Sequence, residues 1–325
     1  MSNTAALRPR VHVNDVAPRD GLQNERAFVA THDKIALIDA LSRTGLARIE
    51  ATAFVSPKAI PALADATEVM QGITRVPGVV YTALIPNLRG AERALECGVD
   101  EFNLVMSVSE THNLTNLRMT RAQSQAALAE VMALAARAGV PVNVSLSCAF
   151  GCPMEGDVAD HEVMRLADSF LSAGAAGVTL CDTTGMAYPT QVAALCEAYQ
   201  QRFAGAGLTL HVHDTRGMAQ ANVMAAAQAG VRHFDASLGG LGGCPYAPGA
   251  SGNACTEDMV HMLELIGYDT GVDLDALIAV ARTLPGLIGH DVPSQMVKAG
   301  RRLALHPVPA SFAETRDRAL ARGAA

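Results

Sequence analysis

His211 and His213 are the residues whose types and spacing are best suited to chemistry, because they flank a single valine. Alternate side chains of a β-strand share one face, so two histidines at this spacing could bind the same metal ion. An isolated pair of this kind is as readily explained by one hydrogen-bonded core histidine and one loop histidine. Asp20 and Asn253 would add a carboxylate and an amide oxygen. A mixed nitrogen and oxygen ligand set suits Mg²⁺ or Mn²⁺ better than an ion that prefers thiolates.

Three further side chains could take part in a reaction. Arg19 beside Asp20 would be an ordinary surface pair in water, but a buried Arg19 could stabilise an enolate or bind a carboxylate. Glu50 lies between two apolar residues, Ile49 and Ala51, so we expect it to orient Arg19 or to support a metal ligand. Cys244 follows a segment with four glycines at 239–243, where the backbone can approach a ligand closely. Its thiol could serve as an acid or a nucleophile, whereas packing explains the other six cysteines.

The elements that must position these residues form a repeating pattern of short β-rich segments and longer helical ones. The predicted strands span residues 11–17, 47–52, 79–84, 101–106, 142–148, 177–183, 208–214 and 233–238. Eight such units indicate a closed (β/α)₈ barrel, since an open doubly wound sheet usually stops at about five or six strands. No Gly-x-Gly-x-x-Gly turn follows the first strand and no Gly-Lys-Ser/Thr loop occurs, which disfavours dinucleotide and P-loop sites.

The sequence therefore predicts an α/β fold, a (β/α)₈ TIM barrel over residues 1–270 with a short C-terminal helical extension over 271–325. We expect the extension to pack on the barrel and to end in a loose tail over residues 314–325. Catalytic groups of such barrels lie at the carboxyl ends of the strands. Asp20 and Cys244 follow predicted strands, Glu50 lies in the second strand and His213 lies near the end of the seventh. These residues would meet at one mouth, and this context favours metal binding by the histidine pair.

Composition excludes several other classes of protein. Half of the 325 residues are hydrophobic, 18% are charged and the net charge is −7, which indicates a globular protein without a nucleic-acid partner. We find no apolar segment of membrane-spanning length, and residues 1–10 lack the apolar core of a secretory signal. The seven cysteines, an odd number, suggest reduced thiols. We therefore expect a cytoplasmic protein with no membrane partner.

Several motifs, taken together and in order, resemble the 3-hydroxy-3-methylglutaryl-CoA (HMG-CoA) lyase family, metal-dependent barrel enzymes related to the homocitrate and isopropylmalate synthases. The segments that carry this resemblance are residues 17–25, 54–58, 211–215, 239–247 and 249–253. The similarity extends over most of residues 11–270.

The resemblance implies a reaction and a role for each candidate residue. Asp20, His211, His213 and Asn253 would hold the divalent ion, while Arg19 and Glu50 would shape the reacting centre. The implied reaction cleaves HMG-CoA to acetyl-CoA and acetoacetate by retro-Claisen chemistry, with His211 or Asp20 as the base and Cys244 protonating the enolate carbon. The resemblance also implies an acyl-CoA substrate and a homodimer or higher homo-oligomer.

Some positions near the expected pocket depart from the family pattern. Ala53 replaces a usual serine, Ala59 a usual tryptophan, Arg216 a usual tyrosine and Arg26 a common lysine, and residues 105–110 are bulkier than usual. These changes leave open the same cleavage of a different branched 3-hydroxy-acyl-CoA. A condensing synthase is disfavoured by the cysteine in its glycine-rich loop. A non-catalytic barrel that binds acyl-CoA or a partner protein is disfavoured by the complete set of candidate residues.

Overall fold

Eight parallel strands form a closed barrel in the computed structural model, which describes residues 8–243 and 252–323. The strands are β1 (His12–Asp15), β2 (Arg48–Ala53), β3 (Val80–Leu84), β4 (Glu101–Ser107), β5 (Val142–Ser147), β6 (Gly177–Asp182), β7 (Gly207–Val212) and β8 (His233–Ala236). Each strand pairs with the next along the chain, and β8 closes the barrel against β1. The predicted (β/α)₈ TIM barrel is confirmed.

Helices cover the outside of the barrel and continue beyond it. They are α1 (Thr31–Leu41), α2 (Ala66–Gly72), α3 (Leu88–Glu96), α4 (Glu110–Leu117), α5 (Arg121–Ala138), α6 (Asp160–Ser172), α7 (Pro189–Arg202), α8 (Ala219–Gln228), α9 (Thr256–Leu265), α10 (Leu274–Ala281), α11 (Leu284–Ile288), α12 (Gln295–Ala299) and α13 (Phe312–Gly323). Short turns of 3₁₀-helix occur at Pro61–Leu63 and Leu238–Gly240, and a π-helical turn occurs at Ala17–Gly21.

The barrel interior is polar, whereas the hydrophobic core lies between the strands and the helices. Along β4, Phe102, Leu104 and Met106 are fully buried in that outer core. Asn103, on the opposite face, accepts hydrogen bonds from Asn143 Nδ2 at 3.1 Å and from the Ser145 hydroxyl at 2.9 Å. Branched apolar side chains usually fill this space in such barrels. Here the interior is a hydrogen-bonded layer beneath the mouth.

The C-terminal part of the described chain is packed into the core at first and exposed after residue 300. Helices α10 and α11 contribute Leu277, Ile278 and Leu284 to the main hydrophobic core. Residues 301–322 are all exposed, and helix α13 extends over most of the segment expected to be a loose tail. None of the described helices combines the length and the apolar character that crossing a membrane requires.

Candidate active site

The turn after β1 places two of the candidate residues over the barrel mouth. The backbone N–H groups of Asp20 and Gly21 both donate to the Val16 carbonyl, at 2.7 and 3.3 Å, within the π-helical turn. Asp15 ends β1 and accepts the N–H of Ala17 at 2.9 Å. The predicted strand over 11–17 is therefore too long. π-Helical turns of this kind occur frequently at functional sites.

Asp20, His211 and His213 form a buried group that could hold a metal ion. One potential ligand atom of each residue lies within 4.8 Å of the others. The two imidazole rings are 5.3 Å apart between centroids. Burial would raise the pKa of Asp20, but the positive charges of Arg19, His211 and His213 and a hydrogen bond from Asn253 lower it to about 2. Asp20 therefore presents an anionic carboxylate, the form that binds cations.

Asn253 lies beside this group and offers an oxygen to it. Its Nδ2 donates to Asp20 Oδ2 at 2.8 Å and to the Leu241 carbonyl at 3.1 Å. Its Oδ1 is buried and has no hydrogen-bond partner among the described residues. A buried amide oxygen without a partner is costly, and a bound cation would satisfy it. The carboxylate, the two imidazoles and this oxygen fit a divalent ion.

Arg19 is held between two carboxylates. Its Nε donates to Glu50 Oε2 at 2.5 Å, and its Nη1 is ion-paired with Asp20. Glu50 Oε1 in turn accepts the Asn103 amide at 2.8 Å. The Arg19 side chain is only 11% exposed, so the surface-pair interpretation of Arg19 and Asp20 does not apply. Glu50 orients Arg19, and Asn103 orients Glu50.

Asp235 contacts His211 and is not among the site residues predicted from the sequence. Asp235 Oδ2 lies 3.5 Å from His211 Nδ1. Burial would lower the pKa of His211, but the hydrogen bond and charge of Asp235, together with the charge of Asp20, raise it above its usual value. The sequence gives only a partial signal, an acidic residue inside the predicted strand 233–238, because the pairing of Asp235 with His211 depends on the register between β7 and β8.

Asp182 ends β6 at the same mouth. Its Oδ1 accepts the backbone N–H of Met186 at 2.7 Å, whereas its Oδ2 is buried without a hydrogen-bond partner in the described chain. Burial raises the pKa of Asp182 to about 6, although the N–H groups of Met186 and Ala187 and the charge of His211 oppose that shift. Asp182 therefore holds the turn after β6 next to the metal-binding group.

Cys244 lies outside the described residues, as do residues 245–251 that follow it. The described chain stops at Gly243, whose carbonyl accepts the Asn24 amide at 2.8 Å, and resumes at Gly252. The predicted role of Cys244 stays a prediction.

The positions that depart from the family pattern lie in different environments. Ala53 belongs to a small apolar cluster with Leu63 and Leu84, against which Val105 packs. Arg216 Nη1 donates to the carbonyls of Thr184 and Gly185 at 3.2 and 2.7 Å, which ties it to the turn after β6. Arg26 and Ala59 are exposed, and Met106 belongs to the outer core. Ala53 and Val105 therefore belong to a different cluster from Met106.

The closed parallel barrel and the buried nitrogen and oxygen ligands at its mouth define a barrel enzyme with a candidate metal site. A family model described as HMGL-like matches residues 10–284, and the chain belongs to that family.

Individual relatives agree with this assignment. The hydroxymethylglutaryl-CoA lyase YngG of Bacillus subtilis is 48% identical over 286 residues, which cover 88% of this chain and 96% of the relative. An (R)-citramalyl-CoA lyase of Chloroflexus aurantiacus is 40% identical, with 89% of this chain and 95% of the relative covered. A solved HMG-CoA lyase of Acinetobacter baumannii, in complex with coenzyme A and 3-methylmalate, is 52% identical. It superposes with a TM-score of 0.89 over 95% of this chain and 100% of that one.

Proposed function

We propose that this protein cleaves HMG-CoA into acetyl-CoA and acetoacetate. The observation that carries the proposal is the buried group of Asp20, His211 and His213 beside the Arg19–Glu50 ion pair. This group occurs in a chain that resembles named HMG-CoA lyases over nearly its whole length. The acyl-CoA class of substrate is also supported by coenzyme A in the Acinetobacter complex.

The reaction requires loss of the proton of the 3-hydroxyl, cleavage of the C2–C3 bond and protonation of the acetyl-CoA enolate at carbon. A divalent ion, Mg²⁺ or Mn²⁺, held by Asp20, His211, His213 and Asn253 would polarise the hydroxyl and hold the oxygens of the leaving ketone. His211 or Asp20 accepts the hydroxyl proton.

The remaining groups act on the enolate. Arg19, fixed by Glu50, directs its guanidinium N–H groups at the enolate oxygen, where negative charge develops as the bond breaks. Because Arg19 is already oriented and shielded from water, little reorganisation is needed during the reaction. Cys244 then donates a proton to the enolate carbon and completes acetyl-CoA.

A second candidate function is the same cleavage of another branched 3-hydroxy-acyl-CoA. The Chloroflexus citramalyl-CoA lyase is 40% identical to this chain, and the cluster around Ala53 is apolar where a serine hydroxyl is usual. Citramalyl-CoA is shorter than HMG-CoA by one methylene between the carboxylate and C3, and its cleavage would release pyruvate with acetyl-CoA.

A direct comparison of kcat/KM for HMG-CoA and (R)-citramalyl-CoA, measured with Mg²⁺ or Mn²⁺, tests this choice. One methylene is worth about 10- to 200-fold in discrimination. We expect HMG-CoA to be favoured by at least about tenfold. A preference for (R)-citramalyl-CoA would make the shorter thioester the proposed substrate. Failure to cleave either thioester would contradict the proposed lyase activity.

We further propose that the protein is a homodimer or higher homo-oligomer in the cytoplasm, and that residues 1–270 form the catalytic barrel and 271–325 its extension. Sedimentation of the purified protein tests the first of these, with a monomer as the contradicting result.

A further inference from the structure

Asp235 on β8 lies between His211 on β7, a candidate metal ligand, and Asn14 on β1. In the parallel register of the barrel, His211 on β7 pairs with Asp235 on β8, and Asp235 pairs with Asn14 on β1. Paired residues of adjacent strands point the same way. The closed barrel therefore holds these three side chains next to one another.

Both oxygens of the Asp235 carboxylate have a partner. Oδ2 lies 3.5 Å from His211 Nδ1, and Oδ1 accepts the Asn14 amide at 2.9 Å. The side chains of His211 and Asp235 are 10% and 13% exposed. Because Asn14 holds one oxygen, the carboxylate cannot turn without losing a hydrogen bond, and the other oxygen stays directed at the imidazole.

We propose that Asp235 is a positioning residue that fixes the tautomer of His211. A neutral imidazole has one N–H donor and one acceptor nitrogen, and a carboxylate can only accept. Asp235 therefore keeps the proton of His211 on Nδ1 and leaves the lone pair of Nε2 for the metal ion. An imidazole held in this way has no further lone pair, so this inference favours Asp20 over His211 as the base that accepts the hydroxyl proton. This inference builds on the metal-binding role of His211 in the proposed function.

The variant Asp235→Asn tests the tautomer directly, because Asn14 dictates how the new carboxamide would be oriented. The Asn14 amide donates to the oxygen on its side, so the carboxamide nitrogen would face His211 and donate to Nδ1. That donor requires Nδ1 to be the acceptor and moves the proton to Nε2, where it blocks metal binding.

We expect ¹⁵N NMR of the metal-free protein, at a pH where His211 is neutral, to show that the proton has moved from Nδ1 to Nε2. Loss of such a partner typically lowers metal affinity about 10- to 100-fold, and we expect a loss of that size in an electron paramagnetic resonance titration with Mn²⁺.

A second variant separates the tautomer from a general effect on folding. In the double variant Asn14→Asp with Asp235→Asn, the carboxylate at position 14 accepts the amide N–H, so the amide oxygen turns to His211. We expect Nδ1 protonation to return, together with most of the Mn²⁺ affinity.

Glu101→Gln is the matched control. Glu101 is another buried carboxylate of the barrel interior, but it is ion-paired with Arg48 at 3.1 Å. We expect its replacement to leave both the His211 tautomer and the Mn²⁺ affinity unchanged.

Wild-type Mn²⁺ affinity and an unchanged tautomer in Asp235→Asn would overturn the proposal, and so would equal losses in the single and double variants. Failure of the wild-type protein to bind Mn²⁺ would contradict the proposed function instead. The NMR measurement would then still decide whether Asp235 positions His211, because it uses no metal.

Discussion

At the scale of single residues, the site depends on an arginine that two carboxylates hold in place. Asp20 and Glu50 both pair with Arg19, and the Glu50 side chain is only 3% exposed. A guanidinium in this position has a planar set of donors with a fixed direction, which a flexible ammonium group cannot reproduce. The account therefore requires the shape of Arg19 as well as its charge.

The variant Arg19→Lys keeps the charge and removes the planar donors. We expect kcat for HMG-CoA cleavage to fall by about 10²-fold or more, the usual effect of removing a donor to a developing oxyanion. Arg26→Lys is the control, because Arg26 is exposed and has no assigned role in the reaction. A kcat near the wild-type value in Arg19→Lys would remove Arg19 from the proposed mechanism.

Residue types and strand ends were sufficient to predict most of the candidate group. Asp20, His211 and His213 were found from the sequence because they follow or end predicted strands, and parallel strands bring their carboxyl ends to one mouth. Asp235 and Asn103 were missed because they lie inside strands, where an isolated polar residue gains meaning only from its neighbours across the barrel. The register that pairs Asp235 with His211 is a property of the closed sheet.

At the scale of elements, two turns contact Asp20 and Asn253. One is the π-helical turn that carries Arg19 and Asp20, and the other is the glycine-rich segment 239–243, which follows β8. Gly242 in that segment has φ +109°, and a Cβ at this position would lie 2.6 Å from Asn253 Nδ2 and 3.3 Å from the Asp20 carbonyl. A side chain there would displace Asn253 from Asp20.

Gly242→Ala should therefore weaken metal binding as well as stability. We expect Mn²⁺ affinity to fall by about tenfold or more, since the amide oxygen of Asn253 moves away from the other ligands. Gly267→Ala is a close control, because Gly267 has φ +101° but open space around its Cβ position. It carries the same backbone strain without the contact. Equal Mn²⁺ affinities in the two variants would contradict this account of the turn.

Local chemistry also explains why α4 and α5 are two separate helices. Helix α4 ends at Leu117, and α5 begins at Arg121. Arg118 has a left-handed backbone, with φ 57°, and Thr120 caps α5 through a reciprocal capping box with Gln123. Threonine followed three residues later by glutamine is a recognisable helix start, whereas a left-handed arginine has no sequence signal.

At the scale of the whole molecule, the barrel contains a buried acid beneath the site. Asp15 is fully buried, and its carboxyl group accepts the Thr256 hydroxyl at 2.7 Å, which ties β1 to α9. Burial raises the pKa of Asp15 to about 7, with Glu257 adding to the shift and the hydrogen bonds from Thr256 and Ala17 opposing it.

This shift predicts a pH dependence of stability. An unfolded aspartate loses its proton near pH ~3.9, whereas the folded Asp15 keeps its proton up to about pH 7. Between these values the folded state binds more protons, so the free energy of unfolding falls as the pH rises. In Asp15→Asn this contribution should vanish, which urea unfolding across the window would show as a flatter profile. Asp157→Asn, at an exposed position, is the control, and an unchanged slope in Asp15→Asn would contradict the assignment.

The proposed function makes the barrel mouth a metal-dependent site for cleaving HMG-CoA. The most direct test is acetyl-CoA formation from HMG-CoA by protein freed of metal with a chelator, before and after addition of Mg²⁺ or Mn²⁺. We expect no turnover without metal, recovery when metal is added, and loss of activity in His211→Ala and Cys244→Ala but not in Cys97→Ala. Turnover that persists without metal, or that survives in His211→Ala, would contradict it.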